Sequence, residues 1–172
     1  MTKQEFLAMS LPYGLKAQFA VKEGNGNYKR VVGTIGVVYD NGSIVCYDTV
    51  NAYPEKFKMI LHPLSDLTKE IEHKGESFIP IIKLAELASV CLKPLNNGFV
   101  IDNEHFEFGC RLRENYFWYN KKGCFCWAIT TKEKEHKLWV ENQIQLFQKL
   151  IEWHFNLMDV EEEFIDVNTL EV

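Results

Sequence analysis

Between His105 and Thr131 the chain reads HFEFGCRLRENYFWYNKKGCFCWAITT, which brings together Phe106, Phe108, Tyr116, Phe117, Trp118, Tyr119, Phe125 and Trp127. Residues of this kind favour the pleated, half-buried surface of a β-sheet, and two polar interruptions divide the stretch into tight hairpins. Strand side chains alternate between faces, so the position of a turn sets which residues oppose each other. With Glu114 and Asn115 as the turn, Arg113 faces Tyr116, Leu112 faces Phe117, Arg111 faces Trp118 and Cys110 faces Tyr119. One face then carries Phe106, Phe108, Cys110, Leu112, Phe117 and Tyr119, and the other carries Glu107, Arg111, Arg113, Tyr116 and Trp118.

Asn120-Lys121-Lys122-Gly123 closes the next hairpin on a glycine, the residue that most easily takes a left-handed backbone. The following strand, Cys124 to Thr130, sets Cys124, Cys126 and Ala128 against Phe125, Trp127 and Ile129, so both faces of the sheet are partly apolar. Either something covers the second face or it is a binding surface. The segment Leu138–Leu157 is the natural cover for that second face. Trp139, Val140, Ile144, Phe147, Ile151, His154 or Phe155, and Met158 recur at helical steps with Leu146, Leu150 and Leu157 beside them, predicting an amphipathic helix of roughly 30 Å. Burial of its large side chains, at about 1.5–3 kcal/mol each, makes it a principal stabiliser. Because large exposed apolar patches are unusual, core packing is the first expectation for the aromatics and a binding platform the second.

The first third reads as a β-meander. Leu15 to Val21 and Tyr28 to Tyr39 are strands joined by Gly24-Asn25-Gly26-Asn27, and Asp40-Asn41-Gly42 predicts a type I′ hairpin into Ser43–Val50. Gly33 and Gly36 inside the long strand predict a bulge or coil, and with no helix following they make no phosphate loop. Phe57–Leu61 is a further strand. A helix is expected from Ser65 or Asp66 to about His73, ended by Gly75, and another opens at Pro80 and continues through Leu84, Leu87 and Cys91. The fold class expected is thus α+β: an N-terminal antiparallel β-meander, central short helices, and a C-terminal antiparallel sheet covered by a long C-terminal helix. Residues 1–172 are expected to form one compact domain with a meander lobe over 1–56, a helical connection over 57–97 and a sheet-and-helix lobe over 98–172.

A chain of 172 residues with 47% apolar and 13% aromatic content can build a proper core. The first residues lack the basic start and apolar run of a signal peptide, and no stretch is long enough to span a bilayer, which predicts a cytoplasmic protein with no membrane association. Five cysteines without framework spacing fit reduced thiols. The balance of 19 basic against 24 acidic residues argues against general nucleic-acid binding, where phosphate neutralisation dominates affinity.

Chemical motifs are sparse. Arg111, Arg113, Lys121 and Lys122 interleave with aromatics as on single-strand or nucleotide-binding surfaces, although cross-strand pairing of Arg111 on Trp118 and Arg113 on Tyr116 explains them structurally. Cys124-Phe125-Cys126 puts two thiols on one strand face without the second ligand pair of a structural zinc site. His62, His73, His105, His136 and His154 form no metal or base pattern, and no metal or cofactor is expected. Cys110 or Cys46 with a histidine base is the residual enzymatic reading. Asp159, Glu161, Glu162, Glu163 and Asp166 around Phe164 and Ile165 read first as a solvated charge run, and second as a dock for a basic partner with Phe164, Ile165, Val167 and Leu170 as anchors.

Four phrases carry a resemblance: Leu11-Pro12-Tyr13-Gly14-Leu15-Lys16, the run from Leu61 to Ile71 (LHPLSDLTKEI), Glu152-Trp153-His154-Phe155, and Ile165-Asp166-Val167-Asn168-Thr169-Leu170. They resemble phrases in small uncharacterised proteins of Bacteroidetes phages and integrated mobile elements. The resemblance transfers no catalytic or binding residue. It implies a small accessory protein, cytosolic in its host and dedicated to binding a host or phage component. The function expected is therefore non-catalytic interaction, with a protein partner or a second copy, through the face bearing Arg111, Arg113, Tyr116 and Trp118 or through the acidic tail. The alternative is capture of a small anionic, nucleotide-like ligand by the same arginines and rings, in a pocket between the two sheets.

Overall fold

The computed structural model of the protein describes residues 1–49, 54, 56–88, 98–120, 122–130, 135–138, 140–158 and 164–169. In chain order its elements are helix α1 (Lys3–Ser10), strands β1 (Lys16–Lys22), β2 (Tyr28–Val38), β3 (Ile44–Cys46) and β4 (Phe57–Leu61), and the short strands β5 (Ile71–His73) and β6 (Glu76–Phe78). Helix α2 (Pro80–Ala88), strands β7 (Val100–Ile101), β8 (Gly109–Leu112), β9 (Asn115–Asn120), β10 (Cys124–Thr130) and β11 (Glu135–Leu138), helix α3 (Gln143–Glu152) and strand β12 (Phe164–Asp166) follow. The fold is α+β, with mostly antiparallel sheets and few helices. The chain divides into two compact units, Met1–Pro63 with Ile151–Val172, and Leu64–Leu150.

The first unit holds a sheet in the order β12-β4-β1-β2-β3. Its hairpin loops follow one rule. Gly26 N donates to Glu23 O at 2.9 Å and Gly42 N to Tyr39 O at 2.8 Å, with φ of 87° and 81° at the two glycines. Glu23 N then reaches Asn27 O, and Tyr39 N reaches Ser43 O, closing three-residue loops with glycine last. The Asp40-Asn41-Gly42 turn is thus not type I′, because only Gly42 of the three takes a positive φ. The pairing of β2 with β3 shifts between Ile35 and Val37, which makes Gly36 the expected bulge. A Cβ on Gly36 would lie 2.2 Å from the Tyr47 ring, so the missing side chain is what lets that ring approach.

Phe57–Leu61 is a strand as expected, but as β4 it joins the first sheet beside β1, and β12 adds to it in parallel, with Phe164 opposite Met59. The first sheet is therefore mixed rather than a pure meander. Phe164 packs on the core of this unit, so it is a sheet residue rather than an exposed anchor. The acidic residues 159 to 163 and Leu170 lie outside the described residues. Helix α1 is opened by a capping box in which Thr2 and Glu5 exchange side-chain to backbone bonds, and it delivers Phe6 and Leu7 to a core with Leu15, Phe19, Ile44 and Met59.

The predicted helix from Ser65 to His73 is replaced by a single 3-10 stretch, Leu64–Thr68, and a two-stranded ribbon. Lys74 and Gly75 take φ of 53° and 80° between the paired residues His73 and Glu76, the backbone of a type I′ turn. Gly75 thus makes a hairpin rather than ending a helix. Pro80 does open α2, which lies against β8 and β9. Cys91 lies outside the described residues.

The second unit contains the sheet β11-β10-β9-β8-β7. Its first hairpin turns at Arg113 and Glu114, one residue earlier than expected, with Arg113 at φ 55° and Leu112 opposite Asn115. Arg111 consequently faces Tyr116, Cys110 faces Phe117 and Gly109 faces Trp118. The partners slide by two residues, an even step, so these strand residues keep the faces expected of them. Cys110, Phe117, Tyr119, Phe125 and Trp127 are buried on the inner face. There the Phe147 ring of α3 meets Tyr119 and Phe125 at 6.2 and 5.3 Å.

The long helix expected over Leu138–Leu157 is not formed. Leu138 belongs to β11 opposite Trp127, and α3 runs only from Gln143 to Glu152. At its start the Gln143 amide clasps the backbone of Phe125, accepting from N at 2.9 Å and donating to O at 2.5 Å. At its end His154 takes φ 59°, and His62 N donates to its carbonyl at 2.9 Å. Hydrogen bonding to neighbouring extended chain at both ends, through the Gln143 side chain and the His154 carbonyl, therefore outcompetes propagation of the helix. Trp139 lies outside the described residues.

Candidate functional site

The outer face of the second sheet gathers most of the residues singled out from the sequence. Strand alternation places Arg111, Tyr116, Trp118, Cys124 and Cys126 together there. Arg113 is at the hairpin tip beyond them. Lys122 is at the opposite end of β9 from Arg113, so these cations do not form the cluster expected, and Lys121 lies outside the described residues.

Part of this face is covered by the chain that precedes β8. Phe106, expected on the same face as Phe117, instead stacks on Trp118 with ring centroids 4.0 Å apart and planes 7° apart. It is a loop residue, so strand alternation does not govern it. The approach needs Gly109, where a Cβ would stand 2.8 Å from the Phe106 Cβ. Tyr116 is flanked by Phe106 at 5.9 Å and His105 at 5.3 Å.

Asp102 holds this cover in place. Its side chain is 3% exposed, accepts from His105 N at 3.2 Å and from the His105 ring at 2.9 Å, and forms an ion pair with Arg111, whose Nε lies 3.2 Å away. Arg111 is thus paired in charge with a buried carboxylate rather than lying over Trp118. Burial works to raise the Asp102 carboxyl, but the His105 ring and backbone hydrogen bonds, with the charges of His105 and Arg111, outweigh it and hold it below the usual aspartate range. The unfolded chain then binds this proton more tightly than the folded one, so the carboxylate stabilises above about pH 4 and the benefit is lost as pH falls through the lower folded value. Asp102→Asn is expected to be less stable than wild type near neutrality, with the gap closing under acid in urea denaturation followed against pH. A gap that does not change with pH would assign the role to shape and hydrogen bonding alone.

The Cys124 and Cys126 sulfurs lie 3.9 Å apart, and Asn120 Nδ2 donates to Cys126 Sγ at 3.5 Å. Burial and the adjacent Cys124 sulfur push the Cys126 thiol up, against the Asn120 amide and the Lys137 ammonium. Neither Cys110 nor Cys46 offers a reactive thiolate. Both are buried, burial pushes both thiols up, and Cys110 Sγ is directed to Ile81 O at 3.6 Å. Among the described residues no group of three or more His, Cys, Asp or Glu side chains is arranged to hold a metal. No helix of the described residues is long and apolar enough to cross a membrane.

Sequence reasoning brought Arg111, Tyr116 and Trp118 to one face but missed Asp102, His105 and Phe106 as its organisers. The available signal was the Asp102-x-x-His105 spacing, which allows a side-chain turn ahead of the strand. Comparison with protein-family models, curated proteins and solved structures found no match.

Proposed function

We propose that this protein is a non-catalytic accessory interaction protein of the phage or mobile-element kind, which works in the cytoplasm by docking a protein partner through the outer face of the β7–β11 sheet. One observation carries this reading: an arginine, a tyrosine and a tryptophan stand side by side on that face, each at least partly exposed and each already held by its own chain. These are residue types that dominate binding energy at protein interfaces. Anchoring before contact, by Asp102 for Arg111 and by Phe106 for Trp118, reduces the ordering cost of association. The free thiols of Cys46, Cys110, Cys124 and Cys126 suit a reducing compartment.

Small-anion capture is the weaker reading. Stacking a base on Trp118 requires an open ring face, and one face is occupied by Phe106. Arg111 is also partly neutralised by Asp102.

The test compares wild type, Arg111→Ala and Trp118→Ala in capture of host proteins, with folding of each variant checked by thermal melting. Arg111 is 47% exposed and His105 remains bonded to Asp102 without it, so Arg111→Ala is expected to fold, at some cost in stability. Each change is expected to weaken the captured complex by about tenfold or more, or about 1.4 kcal/mol. Unchanged capture by both folded variants would remove this face from the function. Native mass spectrometry separates the other occupants: a symmetric dimer makes the partner a second copy, and a co-purifying small anion moves the reading to ligand capture.

A further inference from the structure

We propose that Cys124 and Cys126 form a two-thiolate site for a soft monovalent cation of the Cu(I) class, completed by one exogenous thiol. The site is built into the sheet. Residues two apart on β10 project from the same face, and the two sulfurs stand 3.9 Å apart, both partly exposed. With metal–sulfur bonds of about 2.3 Å, the length thiolates make to a zinc-sized ion, this separation corresponds to an S–metal–S angle of roughly 115°. That angle lies between the tetrahedral and trigonal values, so both sulfurs can bind one ion with a further position left open.

The donor set then selects the ion. Zinc sites draw three or four ligands from the protein, and the described residues offer no third His, Cys, Asp or Glu at these sulfurs. Two soft sulfurs alone favour Cu(I), which accepts low coordination numbers and prefers thiolate to oxygen donors. Asn120 supplies the orienting contact. Its Nδ2–H points at Cys126 Sγ, and its Oδ1 is fixed at 2.7 Å by Lys122 N, so the amide cannot flip without losing a bond. Lys137, opposite Ala128, adds a positive charge on the same face, which offsets the net negative charge of a bis-thiolate Cu(I) centre.

Binding is a ligand exchange without electron transfer. Two S–H bonds break, two S–Cu bonds form, two protons pass to solvent, and copper stays monovalent. The third position takes a small thiol as its thiolate. This site does not depend on the docking role of Arg111, Tyr116 and Trp118, and the Cu(I) readout is separate from partner capture.

The experiment is an anaerobic titration of the full chain with Cu(I) against a chromogenic Cu(I) chelator, comparing wild type with Cys124→Ser and Cys126→Ser. Wild type is expected to withdraw one equivalent, and each variant to bind it at least about tenfold more weakly. Equal withdrawal by wild type and the two variants would overturn the site by assigning the copper to other thiols. X-ray absorption at the copper edge on loaded wild type, with a small thiol present, gives a second readout independent of how the variants fold. Three sulfurs at a single short distance are expected, and a shell with fewer than two sulfurs would also overturn the proposal.

Discussion

Phe117→Ala is expected to destabilise the Leu64–Leu150 unit by about 3–5 kcal/mol, the range for removing a buried phenylalanine ring. Phe117 is 0% exposed and lies on β9, the middle strand of its sheet. Its ring is stacked with Phe125 at 5.7 Å and 10° and meets the edge of Trp127 at the same distance. These neighbours are themselves braced, Phe125 by Phe147 and Trp127 by Phe99, so they cannot all collapse into the space left behind. Removing the ring costs its transfer energy and leaves a cavity as well. Urea denaturation monitored by tryptophan fluorescence measures the loss, with Ile144→Ala as the control: Ile144 is 75% exposed and should change stability by only a few tenths of a kcal/mol. A loss below about 1.5 kcal/mol for Phe117→Ala would mean that the aromatic ladder repacks freely.

The inner and outer faces of this sheet were legible because they depend only on alternation. The partners across the hairpin were not, because they depend on which residue accepts a left-handed backbone, and Arg113 does so in place of a more usual glycine or asparagine. The same limit applies to the helix. Helical spacing from Leu138 to Leu157 is real, but Leu138 finds a strand partner in Trp127 and His154 bonds to His62, and these long-range hydrogen bonds leave no periodic trace. Ile71-Glu72-His73 and Glu76-Ser77-Phe78 are too short to show a period, so the Lys74-Gly75 turn was their only signal. At the candidate site, Arg111, Tyr116 and Trp118 were placed together by alternation. Their cover was not, since the return of Phe106 over Trp118 rests on a hydrogen bond from the His105 backbone to the Asp102 side chain and on the absence of a side chain at Gly109.

Gly109→Val should therefore act on stability and on the outer face together. Gly109 pairs with Trp118 across the hairpin, and its carbonyl accepts from Asp102 N at 3.0 Å, so it joins the strand to the loop that folds over it. A Cβ there would meet the Phe106 Cβ at 2.8 Å and the Asp102 carbonyl at 3.4 Å. Neither is the far end of a flexible side chain, so the loop itself must shift. The expected cost is in the upper part of the about 1–3 kcal/mol range for overpacking, with Trp118 more exposed and its fluorescence shifted to the red. Phe106→Ala is the companion, because it uncovers the same tryptophan without forcing the loop away. If partner docking depends on a tryptophan held in place before contact, both substitutions weaken capture even though Arg111, Tyr116 and Trp118 are all still present. If Phe106 instead occupies the place of a ligand's base, Phe106→Ala opens one face of Trp118 and nucleotide affinity rises. The two readings thus give responses of opposite sign to the loss of one ring.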